Sequence, residues 1–237
     1  TPLVDALFTS TSATCVTGLT VVDTAKYYSI FGQIVIMLLI QIGGLGIMTI
    51  STAFALIMGQ RLTLKLENVM HSMMGEAQSF DIFALLKNIV LVTLIIETIG
   101  ATILYLSFVR VMEPLRAFYF AVFHSVSAFC NAGFSLFSTN LVSFIDNVNI
   151  NLAITFLIIL GGIGFAVIID LHHYLLGKEK GKRLTLHTKM VLITTAALLV
   201  GGLIAYLISE YNYSMRGFGV SRRILASWFQ SVTTRTA

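Results

Sequence analysis

Charged residues, proline and cysteine are scarce in this 237-residue sequence. Asp, Glu, Lys and Arg together make up 11% of it, less than half of the roughly 25% found in soluble globular domains. This shortage excludes an ordinary soluble domain. The net charge of +4 is small and the basic residues are clustered, which argues against a nucleic-acid-binding surface.

The two cysteines, Cys15 and Cys130, do not indicate a disulfide framework. They occupy equivalent places in a repeat, and neighbouring loops around an axis seldom bring Cα atoms within the roughly 4.4–6.8 Å that a disulfide needs. The favoured interpretation is that both are small packing residues. A disulfide and a metal-binding pair are the alternatives.

Apolar residues fill 57% of the chain and fall into long runs. About 20 apolar residues in a helix cross a hydrocarbon core of roughly 30 Å. The sequence therefore predicts an all-α membrane protein. The predicted spans are residues 30–58, 82–109, 148–176 and 190–208.

Three shorter apolar stretches precede loops of small residues and are too short to cross a membrane. They predict re-entrant half-helices, whose irregular loops are tolerated at membrane depth only when protein buries them or they line a water-filled cavity. The predicted half-helices are residues 2–13, 115–128 and 224–233.

The loops after these stretches repeat. The sequence SATCVTG at 12–18 returns as SAFCNAG at 127–133, which keeps Ser, Ala, Cys and Gly in register. A partial third copy, TRTA, occupies 234–237. Because the loops recur with the same small residues, we expect them to share one backbone conformation and one role.

Two further landmarks recur in the same order. The run GGLG at 43–46 returns as GGIG at 161–164, and RLTL at 61–64 returns at 183–186. The glycine runs either act as hinges or allow close helix packing, which is the commoner reason. The landmarks predict a duplicated unit of span, half-helix, loop and span around a pore axis. The predicted units are residues 1–58, 82–176 and 186–237, the last ending at its loop.

The repeated loops predict an ion path lined by main-chain oxygens. A permeating K⁺ exchanges its water shell for a ring of carbonyls, and glycine adopts the required dihedrals at low cost. Ordinary turns between buried helices are the alternative, but they do not explain the repetition. The predicted ligands are the carbonyl oxygens of Val16, Thr17, Gly18, Asn131, Ala132, Gly133, Thr236 and Ala237.

Glu97 and Arg235 are charged residues predicted at membrane depth, where charges are costly and often functional. Glu97 is expected to pair with Arg235 behind a loop or to accept from backbone N–H groups. A purely structural hydrogen bond is the alternative. Arg235 is expected to point away from the path, because a positive charge on the axis would repel K⁺.

A basic connection at 177–189 predicts the cytoplasmic side by the positive-inside rule. The loops would then be extracellular in a plasma-membrane protein. A second basic connection at 210–223 weakens this prediction. The basic residues of the first connection are Lys178, Lys180, Lys182, Arg183 and Lys189.

The motifs SATCVTGL, SAFCNAGF, QSVTTRTA and QIGGLGIMTIS resemble the Trk/Ktr/HKT superfamily of potassium transport proteins, most closely the bacterial Ktr-type membrane subunits. The resemblance covers the whole chain. It implies four units around one pore, with one filter glycine per loop, matched here by Gly18 and Gly133. It also implies K⁺ as the transported ion, with Na⁺ coupling left open.

The same resemblance implies a homodimer in the lipid membrane that docks on a cytosolic nucleotide-binding regulatory ring. The connection at 177–189 is a candidate contact, although positive-inside charge alone also explains it. No organic cofactor and no covalent chemistry are expected, so the protein is not predicted to be an enzyme.

Compared with that family, the sequence is expected to supply about half of a pore. The first outer span, the third filter glycine with its inner helix and the fourth unit are not in it. One alternative function is a secondary transporter of another substrate, which predicts inverted repeats. Another is a structural membrane subunit without a path.

Overall fold

A computed structural model describes residues 2–46, 82–175 and 184–236. Within those ranges the chain is helical and contains no strand, which confirms the all-α prediction for the described residues. The helices are α1 (Leu3–Thr14), α2 (Thr24–Tyr27), α3 (Ile30–Leu45), α4 (Ile82–Phe108), α5 (Pro114–Phe129), α6 (Val148–Gly162), α7 (Phe165–Leu175), α8 (Leu186–Glu210) and α9 (Val220–Thr236), with a 3₁₀ turn at Val142–Phe144.

Two described helices, α8 and the part of α4 from Lys87 to Phe108, are long and apolar enough to cross a membrane. Large apolar side chains such as Ile99 and Ile193 are 56% and 69% exposed on them. Surfaces of this kind suit lipid, and the prediction of an apolar membrane protein is confirmed. The predicted span at 30–58 is described only as far as Gly46, where α3 has ended.

The span predicted over 148–176 is not a single straight helix. Its two parts, α6 and α7, are bent by 99°. The break falls at Gly164, whose φ is +88°, a left-handed value that glycine adopts without a Cβ penalty. Gly46, the matching glycine after α3, has a φ of +86°. The last glycine of each run therefore ends a helix.

Helix α5 is the centre of the core and packs against α3, α4 and α6. Ala117, Ala121 and Phe123 of α5 are fully buried. Phe108 of α4 and Phe137 pack edge to face, with ring centroids 5.6 Å apart. This buried aromatic cluster fixes the position of α5, and with it the loop that follows.

Local sequence signals explain where these helices begin. Pro114 opens α5 at its first helical position, where a missing N–H costs nothing. The side chain of Asn147 caps α6 by accepting from the N–H of Ile150, and Thr185 caps α8 by accepting from Thr188. Each cap satisfies a donor that a helix start leaves unpaired.

Candidate functional site

The loops after α1 and α5 have the same backbone conformation. Val16 and Asn131 have φ values of +57° and +58°, and Gly18 and Gly133 have values of +74° and +71°. A β-branched residue such as Val16 at positive φ is a genuine outlier. Strain of this kind costs about 1–3 kcal/mol and concentrates at functional sites.

The N–H groups of both loops turn back into their helices. The N–H of Thr17 donates to the carbonyl of Ser12 at 2.9 Å, and that of Ala132 donates to the carbonyl of Ser127 at 2.8 Å. This pairing is the Schellman motif, which satisfies the last helical carbonyls. The first main-chain donors of each loop are therefore used on its helix side.

A serine hydroxyl holds the far end of each loop. Ser12 Oγ donates to the carbonyl of Leu19 at 2.7 Å, and Ser127 Oγ donates to the carbonyl of Phe134 at 2.7 Å. Both serines are at least 96% buried. The resemblance of the two loops thus extends from the sequence motif to the hydrogen bonds that shape it.

Removing this hydroxyl should loosen the second loop. In Ser127→Ala the buried carbonyl of Phe134 loses its donor, which costs about 1–3 kcal/mol. We expect a lower unfolding midpoint of the purified protein than that of the unsubstituted protein. Ser209→Ala is the control, because Ser209 is exposed and its hydroxyl bonds only within α8. Equal behaviour of the two variants would contradict the role assigned to Ser127.

The loop carbonyls remain available to a ligand. The carbonyl oxygens of six predicted ligands accept no hydrogen bond from any residue that the structure describes. Since the N–H groups of four of these residues donate back to the helices, the carbonyl oxygens are polar groups that the loops can present to an ion. The six residues are Val16, Thr17, Gly18, Asn131, Ala132 and Gly133.

The two loops lie against each other. A Cβ built on Gly18 would be 2.6 Å from the carbonyl oxygen of Ala132, and one on Gly133 would be 3.5 Å from Cα of Gly18. Farther along the chain, the side chain of Ser138 lies near Asp23 and lowers the pKa of that carboxyl. The segments 115 positions apart in the sequence are therefore neighbours in the fold.

A cavity of about 340 Å³ opens beside the two loops and receives side chains from α9. The predicted ligands Thr17, Gly18, Asn131 and Gly133 border it. Polar side chains from α5 and α9 also face it. The other polar lining residues are His124, Ser127, Asn140, Gln230 and Thr233.

The third predicted loop differs from the expectation. Helix α9 continues to Thr236, so residues 234–236 are helical rather than the start of a loop. Thr236 packs against α6, with Cγ2 3.0 Å from the Cβ position of Gly162. Ala237 lies outside the described residues.

The glycine runs bring α3 and α6 against the ends of the half-helices. A Cβ on Gly43 would overlap the carbonyl oxygen of Thr14, and a Cβ on Gly161 would overlap that of Phe129. Thr14 and Phe129 are the last residues of α1 and α5. Close packing is therefore the role of these glycines, while Gly164 ends its helix.

The second glycine of each run meets the next half-helix along the chain. Gly44 lies against the sulfur of Cys130, and Gly162 lies against Arg235 and Thr236. Helix α3 thus contacts the ends of α1 and α5, and α6 contacts the ends of α5 and α9. Each pair of glycines therefore joins the ends of two successive helices: α1 and α5 in the first case, α5 and α9 in the second.

The predicted pairing of Glu97 with Arg235 is wrong. Arg235 Nη2 donates to Thr195 Oγ1 of α8 at 3.1 Å. Glu97 of α4 instead lies beside Gln41 of α3, and both side chains border the same cavity, between α3, α4 and α5. It also lies within electrostatic range of Cys130, at the start of the second loop.

Sequence reasoning missed His124, although it lines the cavity. Its Nε2 and Ser135 Oγ are 3.0 Å apart, and its Nδ1 is 2.7 Å from the carbonyl oxygen of Phe120. No motif singled out this residue, because a lone histidine in an apolar helix has no distinguishing pattern. The shared role of Ser12 and Ser127 could have been predicted, since the two serines occupy the same position in the repeat.

Comparison with known proteins identifies cation transport proteins as relatives of this chain. The family model described as TrkH, cation transport protein, matches residues 1–237. The Ktr system potassium uptake protein B of Bacillus subtilis is 40% identical over 99% of this chain and 52% of its own length. The counterpart from Vibrio alginolyticus is also 40% identical, again over 99% of this chain and 52% of its own length.

The potassium/sodium uptake protein NtpJ of Enterococcus hirae is 39% identical over 100% of this chain and 52% of its own length. The chain therefore spans about half the length of these curated relatives. Their similarity extends across both loops, both glycine runs and all the described helices.

Proposed function

Because this chain belongs to the TrkH family of cation transport proteins, we propose that it helps to carry K⁺ across a membrane through a filter of main-chain carbonyl oxygens. The observation that supports this most directly is the pair of loops beside one cavity. Their backbones match, the N–H groups of Thr17 and Ala132 donate back to their own helices, and the carbonyl oxygens of the six predicted ligands have no partner among the described residues.

The chemistry of this filter follows from the loops. A dehydrated K⁺ needs oxygen ligands to replace its water shell, and backbone carbonyls supply them without a net charge. Helices α1 and α5 end at the loops, so the negative ends of their dipoles are directed there and favour a cation. Arg235 donates to Thr195 of α8, and we propose that its charge does not face the ion path.

We further infer that the described chain consists of repeated units about one axis. Tyr119 of α5 donates to Gln33 of α3 at 2.9 Å, and Trp228 of α9 donates to Thr155 of α6 at 3.1 Å. Together with the glycine contacts, these bonds join each inner helix to the next half-helix. Such a succession suits units arranged around a pore and does not suit inverted repeats.

Orientation and partners complete the proposal. The loops would be extracellular, and the basic connection at 177–189, which lies outside the described residues, would be cytoplasmic. We also propose a homodimer that docks on a cytosolic nucleotide-binding ring. Na⁺ is a second transported or coupling ion to test, since one similar protein is named a potassium/sodium uptake protein.

Anomalous diffraction tests the filter directly. Crystals of the complete transporter grown with Rb⁺ or Tl⁺ should show an anomalous peak between the loops that contain Gly18 and Gly133. The peak should weaken when K⁺ is added, because the ions compete for the same oxygens. Ion density only at side-chain carboxylates, with none between the loops, would overturn the proposal.

A further inference from the structure

Helix α5 carries a histidine whose ring is buried beside the cavity at the two loops. His124 is 3% exposed and borders that cavity, whose described lining contains no charged residue. Four aromatic rings pack around it, with centroids between 4.9 and 6.0 Å from its own: Phe108, Phe120, Phe123 and Phe137. Neither these rings nor the described lining of the cavity offers an acid that would pair with an imidazolium.

Hydrogen bonds at both ring nitrogens define a neutral tautomer of His124. Nδ1 is 2.7 Å from the carbonyl oxygen of Phe120. A carbonyl only accepts, so Nδ1 carries the proton. The main-chain N–H of Leu136 donates to Nε2 at 3.4 Å, so Nε2 is the acceptor. In this state the ring holds a neighbouring part of the chain without adding a positive charge to the cavity.

Nε2 of His124 anchors the segment that leaves the second loop. The hydroxyl of Ser135 donates to this nitrogen over 3.0 Å, and the same hydroxyl oxygen accepts the N–H of Phe137 at 3.0 Å. Leu136 donates to the nitrogen directly. Three successive residues after the loop are therefore attached to one ring nitrogen, two of them directly and the third through Ser135.

The C-terminal part of α5 thus holds the whole exit from the second loop. Ser127 and His124 are three residues apart, on one face of the helix. Ser127 donates to the carbonyl of Phe134, and His124 holds the three residues that follow. The carbonyl oxygen of Gly133, a predicted ligand, belongs to the peptide plane that Gly133 shares with Phe134. Its direction therefore depends on how Phe134 and the residues after it are held.

The first loop has the serine anchor but lacks an equivalent of the histidine. The residue 115 positions before His124 is Thr9, whose hydroxyl accepts from the phenol of Tyr28 at 2.8 Å. Leu19, which takes the place of Phe134 in the repeat, is 61% exposed, whereas Phe134 is 3% exposed. The two loops have the same backbone conformation, but the exit of the second is held more firmly.

We propose that His124 is a positioning residue for the filter: Nε2, as an acceptor, fixes the direction of the Gly133 carbonyl oxygen and so contributes to the preference for K⁺ over Na⁺. This role rests on the function proposed above. Both the size of a carbonyl cage and the number of oxygens in it depend on how the peptides of the loop are held. A neutral ring meets this need beside a cation path, where an imidazolium would repel the ion.

Two substitutions of His124 distinguish the two ring nitrogens. The side-chain amide of glutamine reaches the place of Nε2 and can accept from Ser135 and Leu136, whereas the amide of asparagine reaches only the place of Nδ1. In liposomes that contain the complete transporter, the ratio of Rb⁺ to Na⁺ uptake should fall by about tenfold in His124→Asn. It should stay near the unsubstituted value in His124→Gln. Ser135→Ala should also lower the ratio, because it removes the hydroxyl that links Nε2 to Phe137.

Thr9→Val is the matched control, since Thr9 has the same place in the first copy of the repeat but pairs with Tyr28. It should lower the unfolding midpoint and leave the uptake ratio unchanged. Equally low ratios in His124→Asn and His124→Gln would overturn the proposal, because packing of the ring would then be what matters. An unchanged ratio in His124→Asn, or an equally low one in Thr9→Val, would overturn it too.

Ser135→Ala decides alone if either variant of His124 fails to fold: a lower ratio supports the anchor at Nε2, and an unchanged ratio overturns it. Failure of the filter proposal would look different. The unsubstituted transporter would then show no Rb⁺ peak between the loops, whatever the variants of His124 do. With that peak present and selectivity intact in His124→Asn, only the role of His124 is wrong.

Discussion

Gly161→Ala is expected to abolish K⁺ uptake. A Cβ at this position would overlap the carbonyl oxygen of Phe129, the last residue of α5. This oxygen belongs to the main chain and cannot rotate away as a side chain can. Helix α6 and the start of the second loop must therefore move apart. Overpacking of this kind costs about 1–3 kcal/mol or more. The measurements are uptake of ⁸⁶Rb⁺ by cells and the unfolding midpoint of the purified protein.

Gly201→Ala is the matched control for this substitution. Gly201 also lies in an apolar helix, α8, but a Cβ there meets no described atom within 4 Å. Because alanine favours a helix by up to about 1 kcal/mol over glycine, uptake should persist and stability should hold or rise. If Gly161→Ala transported normally, the close approach of α6 to Phe129 would not matter for the loop.

The structure also shows which features of the fold could be predicted from the sequence. The repeat of small residues at 12–18 and 127–133 predicted two equivalent loops, and the structure gives them matching dihedrals and hydrogen bonds. Apolar runs likewise predicted α4 and α8, because length and hydrophobicity alone define a helix that can cross a bilayer. Patterns that repeat or that extend over many residues were therefore informative.

Features that depend on a single dihedral or a single side chain were not predictable. Glycine accepts both signs of φ, so nothing in GGIG indicates that Gly164 breaks the helix while Gly161 packs within it. A positive φ at Val16 contradicts its local preference and is visible only in the fold. The partner of Arg235 was missed because the approach of α8 is a tertiary contact.

Gly18→Ser is expected to remove the preference for K⁺ over Na⁺. With a φ of +74° the residue is in the left-handed region, where a side chain costs about 1–2 kcal/mol. Its Cβ would also lie 2.6 Å from the carbonyl oxygen of Ala132, a predicted ligand of the second loop. One substitution should therefore displace oxygens of both loops. The measurement is the ratio of Rb⁺ to Na⁺ uptake, which should fall by about tenfold for each 1.4 kcal/mol of lost discrimination.

Gly133→Ser distinguishes the effect of backbone strain at a positive φ from the effect of a side chain that displaces the facing loop. Its φ of +71° gives a similar dihedral cost, but its Cβ would be 3.5 Å from Cα of Gly18, an ordinary contact. Selectivity should therefore fall less than in Gly18→Ser. Gly219→Ser, where a Cβ meets no described atom within 4 Å, should leave the ratio unchanged. If both loop variants kept full selectivity, the carbonyl oxygens of these loops could not be what distinguishes K⁺ from Na⁺. If Gly133→Ser were the more damaging, the contact between Gly18 and Ala132 would not be what aligns the two loops.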